Sequence, residues 1–124
     1  MRFTERELTV AVDRLAEQAF AASLPRRKRK NADEEWRALT PMQKYSVRST
    51  VADFAIPVLL ALPDRPTVGA VPAFSDEEWA EAVVTGFPDG DDDQRTAALA
   101  MAQTAVEVMP VRQDPDAIVI PDYL

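Results

Sequence analysis

Five adjacent cations, Arg26-Arg27-Lys28-Arg29-Lys30, are the densest concentration of chemistry in this 124-residue chain. A run of this kind can neutralise several phosphates, each contact releasing counterions from a polyanion. It stands in a chain of net charge −7, with 11 Lys/Arg against 8 Asp/Glu in residues 1–63 and 3 against 13 in residues 64–124. Charge segregated in this way bears on encounters with partners rather than on fold. No helix rich in Arg, Asn and Gln follows the run, as a base-reading element would. The run therefore reads first as a solvated loop or an intramolecular partner for the acidic half. Contact with nucleic acid, or with an acidic protein surface, is the alternative.

Two acidic groupings invite a metal or proton-transfer reading. Asp89, Asp91, Asp92 and Asp93 alternate as in a calcium loop, but the sixth position from Asp89 is Gln94, where glycine is needed. The twelfth is Ala100, where a bidentate glutamate belongs. Carboxylates at a helix start are favourable without any ion. Glu77, Glu78 and Glu81 would need a matching pair on another helix to share a proton or a metal, and read as a solvated face.

The chain has no histidine and no cysteine. The usual neutral-pH general base, the base of a Ser-His-Asp triad, the thiolate nucleophile and the sulfur and imidazole metal ligands are all missing. No catalytic, cofactor-binding or metal-binding residue is assigned, and the expectation is a protein that is not an enzyme. A last candidate is the apolar tail Ile118-Val119-Ile120 with Tyr123 and Leu124, bracketed by Pro115 and Pro121. Such a segment can fold back on its own bundle or add to another chain as an extended peptide.

The elements that must position these groups are helical. Thr4-Glu5-Arg6-Glu7 is a capping box between staple residues Phe3 and Leu8, and Leu8, Ala11, Val12, Leu15, Ala19 and Phe20 continue one apolar stripe. A first helix over about 4–23 follows, closed by Leu24-Pro25. A short helical turn spans about 33–39. Thr40-Pro41-Met42-Gln43 repeats the capping box with proline at the first helical position and opens a helix over 41–62. Its buried side is read as Met42, Tyr45, Val51, Phe54, Ala55, Val58, Leu59 and Leu62, with a kink at Pro57 and a second half, including Leu60, buried on more than one side. Phe74-Ser75-Asp76-Glu77-Glu78-Trp79 is a third start, for a helix over 75–85 with Gly86 as a left-handed terminator. Asp91 opens an Ala-rich helix over 91–109. Residues 63–73 read as an extended crossing loop and 110–124 as an extended tail. Trp36, Tyr45 and Trp79 read as packing aromatics.

The expected fold is all-α: one compact bundle of about four helices, residues 1–124 forming a single domain. Only 3 glycines and no apolar run near membrane length accompany this pattern, and the amino terminus lacks a secretory pattern, so a soluble, cytoplasmic protein is expected. Residues 4–62, with Trp36-Arg37-Ala38-Leu39-Thr40-Pro41 and Arg48, resemble small helical proteins of unknown function from actinobacteria and their phages. That resemblance implies a helical fold and a phage origin, and no activity. The functional expectation is a non-enzymatic interaction or regulatory protein without cofactors, acting through a protein partner or self-association and away from membranes. A nucleic-acid-associated regulator using Arg26–Lys30 is the alternative.

Overall fold

Three helices of this protein begin with the same reciprocal bond pair. The Thr4, Thr40 and Ser75 hydroxyls each accept from the amide three residues on, at 3.1 Å in all three cases. The side chains of Glu7, Gln43 and Glu78 accept in return from the cap amides at 2.8, 2.9 and 2.9 Å. Each start is thus fixed within four residues of sequence. The helices they open are α1 (Glu5–Ser23), α3 (Pro41–Ala61) and α4 (Asp76–Gly86). The shorter α2 (Ala32–Ala38) and the Asp91-capped α5 (Asp92–Val108) complete the set. This computed structural model describes residues 1–65 and 69–110, and no strand occurs among them.

The all-α fold is therefore present, with five α-helices among the described residues where about four were expected. The additional one is α2, a full helix rather than a turn. The basic run corrects the reading as a loop: Arg26–Asn31 is a 3₁₀ helix joining α1 to α2. Residues 111–124 lie outside the described residues, and with them the whole apolar tail.

α3 is the hub, packing on α1, α4 and α5, while α1 also meets α5 and α2. Its inner side is Val51, Ala55, Val58 and Leu59, continued by Leu62 after the helix ends. α1 contributes Ala11, Leu15 and Ala16, and α4 contributes Trp79, Ala82 and Val83. α5 presents Ala98, Ala102 and Ala105, whose small side chains let its backbone come close. The expected staple between Phe74 and Trp79 is formed, edge to face, with ring centroids 5.4 Å apart.

Three residues assigned to the buried side of α3 are not there. Met42 is 75% exposed, Tyr45 66% and Leu60 54%. At about 100° per residue, Met42 and Leu60 fall on the opposite side from Val58 and Leu62, and Tyr45 lies a quarter-turn off. Lys44 and Val47 occupy the stripe instead. Gly86 is likewise not a left-handed terminator. It lies inside the last turn of α4, and the positive-φ glycine among the described residues is Gly69, at +83°. What Gly86 provides is room, since its backbone abuts that of Pro57 in α3. α3 itself continues through Pro57 to Ala61.

Helix ends are closed from outside. Neither α1, α3, α4 nor α5 carries a basic residue in its last turn. Each nonetheless has a cation donating to a carbonyl at its end, the position where partial negative charge accumulates. Arg29 Nε reaches the Leu24 carbonyl at 3.1 Å, after α1. Arg95 Nε and Nη2 reach Phe87 and Pro88, both at 2.9 Å, after α4. Arg14 Nη1 donates to the Val108 carbonyl of α5, and the Met1 ammonium serves α3.

Candidate functional site

α1 and α3 run antiparallel, with Met1 against Leu59–Leu62 at one end and Asp13 against Arg48 further along. On one side of this pair nothing covers the seam among the described residues, leaving an open groove of about 350 Å³. Leu8 and Val12 from α1 and Ala52 and Ile56 from α3 make its apolar floor. These are helical neighbours four residues apart, so each pair presents a continuous stripe. Tyr45, Ser49 and Thr9 line the groove beside them, and exposed Met42 stands one turn before Tyr45.

The polar rim is an ion pair. Arg48 Nε lies 2.7 Å from Asp13 Oδ1, with each side chain about two-fifths exposed. The Nε–H is not aligned on that oxygen as a hydrogen bond, so the contact is one of charge. The Arg48 guanidinium also sits 5.8 Å from the Trp36 ring centroid, and Lys44 Nζ 6.0 Å from it. Trp36 in turn meets Phe20 at 5.5 Å. One buried indole therefore gathers the end of α1, α2 and the start of α3, and fixes where the rim cations stand.

The 3₁₀ helix follows α1 at this same end of the molecule. All of Arg26, Arg27, Lys28, Arg29 and Lys30 are exposed. With three residues per turn, Arg26 and Arg29 share one side, Arg27 and Lys30 a second, and Lys28 takes a third. Arg29 is spent on the Leu24 carbonyl, which ties the turn to α1. The other four side chains make no hydrogen bond or ion pair within the described residues. The intramolecular partner considered for them in the acidic half is not formed there.

Of the acidic groupings, Asp91 caps α5 and Glu78 pairs with Arg65 at 2.6 Å. Glu77 and Glu81 are exposed. Among the described residues no three or more acidic groups are placed to hold a metal ion, and no helix is long and apolar enough to cross a membrane. Ile118, Val119, Ile120, Tyr123 and Leu124 lie outside the described residues. The groove was not found by sequence reasoning, which placed Met42 and Tyr45 in the core. The available signal was the phase conflict along α3, where Lys44 and Val47 keep the stripe that Met42 and Tyr45 leave. No family model, curated protein or solved structure matches this chain.

Proposed function

We propose that this protein is a non-enzymatic interaction module that receives an amphipathic helix of a partner protein in the α1–α3 groove. The observation that carries the reading is the apolar floor of Leu8, Val12, Ala52 and Ile56, uncovered among the described residues and edged by exposed Tyr45, with exposed Met42 one turn away. Two parallel stripes of this kind accept a third helix through positions spaced three and four residues apart. Aromatic and methionine side chains beside such a groove supply contact area and adaptability. Charge selects the occupant. Four cations without a partner among the described residues and the Arg48 rim stand at the end where α1 finishes, so the partner helix is acidic at the end that lies there. A cytoplasmic setting, away from membranes, belongs to the proposal and accords with a cysteine-free chain.

The test uses a synthetic amphipathic helical peptide with a leucine stripe and glutamates at one end, titrated into the ¹⁵N-labelled protein. Shifts confined to residues 8–13 and 45–56, and lost in Ile56→Asp, are the expected result. Shifts on residues 26–30 alone, or none at all, would overturn the reading. Retention on immobilised RNA that Arg26–Lys30→Ala abolishes, with the groove silent to the peptide, would put the nucleic-acid regulator in its place. Concentration-dependent dimerisation that Ile56→Asp abolishes, again with no response to the peptide, would make the occupant a second copy.

A further inference from the structure

The chain leaves α5 within reach of the α1–α3 groove. α5 closes beside α1, where Arg14 Nη1 donates to the Val108 carbonyl, and Met109 after it is buried. Arg14 lies two positions past Val12, about 200° round the helix and about 3 Å along it. The groove floor is therefore on the far side of α1 at almost the same height. Half the circumference of a helix about 10–12 Å across is about 16–19 Å. Residues 111–117, outside the described residues, can span up to about 23–25 Å. That reach is enough to bring Ile118-Val119-Ile120 to the floor.

The triplet matches the floor in spacing and in backbone preference. In an extended chain Ile118 and Ile120 stand on one side, about 6.6–6.8 Å apart. From Leu8 to Val12, and from Ala52 to Ile56, the helical rise is about 6 Å. Each isoleucine can thus meet one turn of both helices. All four floor residues are half-buried and have apolar surface left to remove from water. Ile120 precedes Pro121, a position that disfavours helix and favours extended backbone. We propose that Ile118 and Ile120 occupy the α1–α3 groove of their own chain and compete there with the partner helix. The competition rests on the groove being a helix receptor, whereas the occupancy stands without it. A tethered segment acts at about millimolar effective concentration. A partner's apparent affinity falls with the fraction of grooves it finds open.

The occupancy is tested first, with no peptide present. The chain has no cysteine, so Ala117→Cys carries a single nitroxide beside the triplet. In the ¹⁵N-labelled 124-residue chain the amides of residues 8–13 and 49–56 are expected to broaden, and Ile118→Asp with Ile120→Asp to sharpen them again. Groove amides as sharp with the nitroxide as with its reduced form would overturn the occupancy. Broadening that passes to a ¹⁵N chain without nitroxide, mixed with unlabelled nitroxide-bearing chain, would overturn it in favour of a second copy. The competition is read by titrating the glutamate-ended leucine-stripe peptide into the parent chain and into the Ile118→Asp, Ile120→Asp chain. A groove open in about one chain in ten makes the peptide's Kd about tenfold lower in the variant. Equal Kd values would overturn the competition and leave the helix receptor standing. Binding to neither chain, with the broadening present, would overturn the helix receptor and leave the occupancy standing.

Discussion

Gly86 in α4 rests on the backbone of Pro57 in α3, so closely that a Cβ at Gly86 would come 2.9 Å from the Pro57 carbonyl carbon and 3.1 Å from Val58 N. The obstacle is main chain in the middle of a packed helix, which cannot swing aside as a side chain can. Alanine is the better helix former by about 1 kcal/mol, so in isolation Gly86→Ala would stabilise α4. The close approach reverses the sign: the substitution is expected to lower the unfolding free energy by about 1–3 kcal/mol, as overpacked cores do. Urea titration with an unchanged m-value checks this, and a more stable variant would mean that α3 and α4 stand further apart.

Size matters similarly on α5. Ala102 is wholly buried, and Ala102→Leu is expected to cost about 1–3 kcal/mol through forced displacement of α3 or α1. Leu59, 1% exposed at the hub, should lose about 2–5 kcal/mol as Leu59→Ala. Leu60 is its immediate neighbour in sequence, yet Leu60→Ala should stay within about 0.5 kcal/mol. The contrast between adjacent leucines, measured by thermal or urea unfolding, reads the orientation of α3 directly.

The Glu78 carboxyl is held below the ordinary glutamate range, first by the hydrogen bond from the Ser75 backbone amide and then by Arg65. A depressed carboxyl contributes stability that is present above its unfolded pKa and lost as pH falls through its folded pKa. Glu78→Gln keeps the capping geometry, as Gln43 shows in α3, but removes the charge facing Arg65. The variant should be less stable than the parent at pH 7, and the gap should close as pH falls below about 4. Urea midpoints of the two proteins across that range measure it. A gap that widens in acid would contradict the assignment.

Asp13 and Arg48 form a half-exposed pair, a class of contact worth at most about 1 kcal/mol. The cost of Asp13→Asn is expected to fall within that limit and to shrink further as salt screens the pair. Trp36, 7% exposed and touched by Phe20, Lys44 and Arg48, should cost about 3–5 kcal/mol as Trp36→Ala. Paired denaturation curves separate the rim ion pair from the indole that positions it.

Much of this architecture is written locally in the chain. Thr4, Thr40, Ser75 and Asp91 each mark a helix start, because capping is decided within four residues, and Leu24-Pro25 and Leu62-Pro63 mark two of the stops. What depends on a neighbour is not written locally. Gly86 looks like a terminator until α3 is seen lying against it. Met42 and Tyr45 look like core until it is known that no element among the described residues covers that side. Lys44 occupies a core-side position with its ammonium 6.0 Å from the ring centroid of a tryptophan from α2. The basic run was visible as composition, but its 3₁₀ form, its splayed cations and the use of Arg29 as an anchor follow from how α1 and α2 are joined. The α1–α3 groove arises from two helices brought together, and neither helix alone announces it.

The cations that close the helix ends also bear on the order of events in folding. Arg14 meets Val108 across 94 positions, and Met1 meets Leu62 across 61. Helix starts are ready early, but two of the stops wait for distant chain to arrive, and that loop closure has to precede the contacts it permits. α1 and α5 are thus latched to each other, and Met1 to the end of α3. Stable half-bundles are not expected along the way. Native-state hydrogen exchange should find the central amides of α1, α3 and α5 opening with one common free energy, as a single cooperative unit.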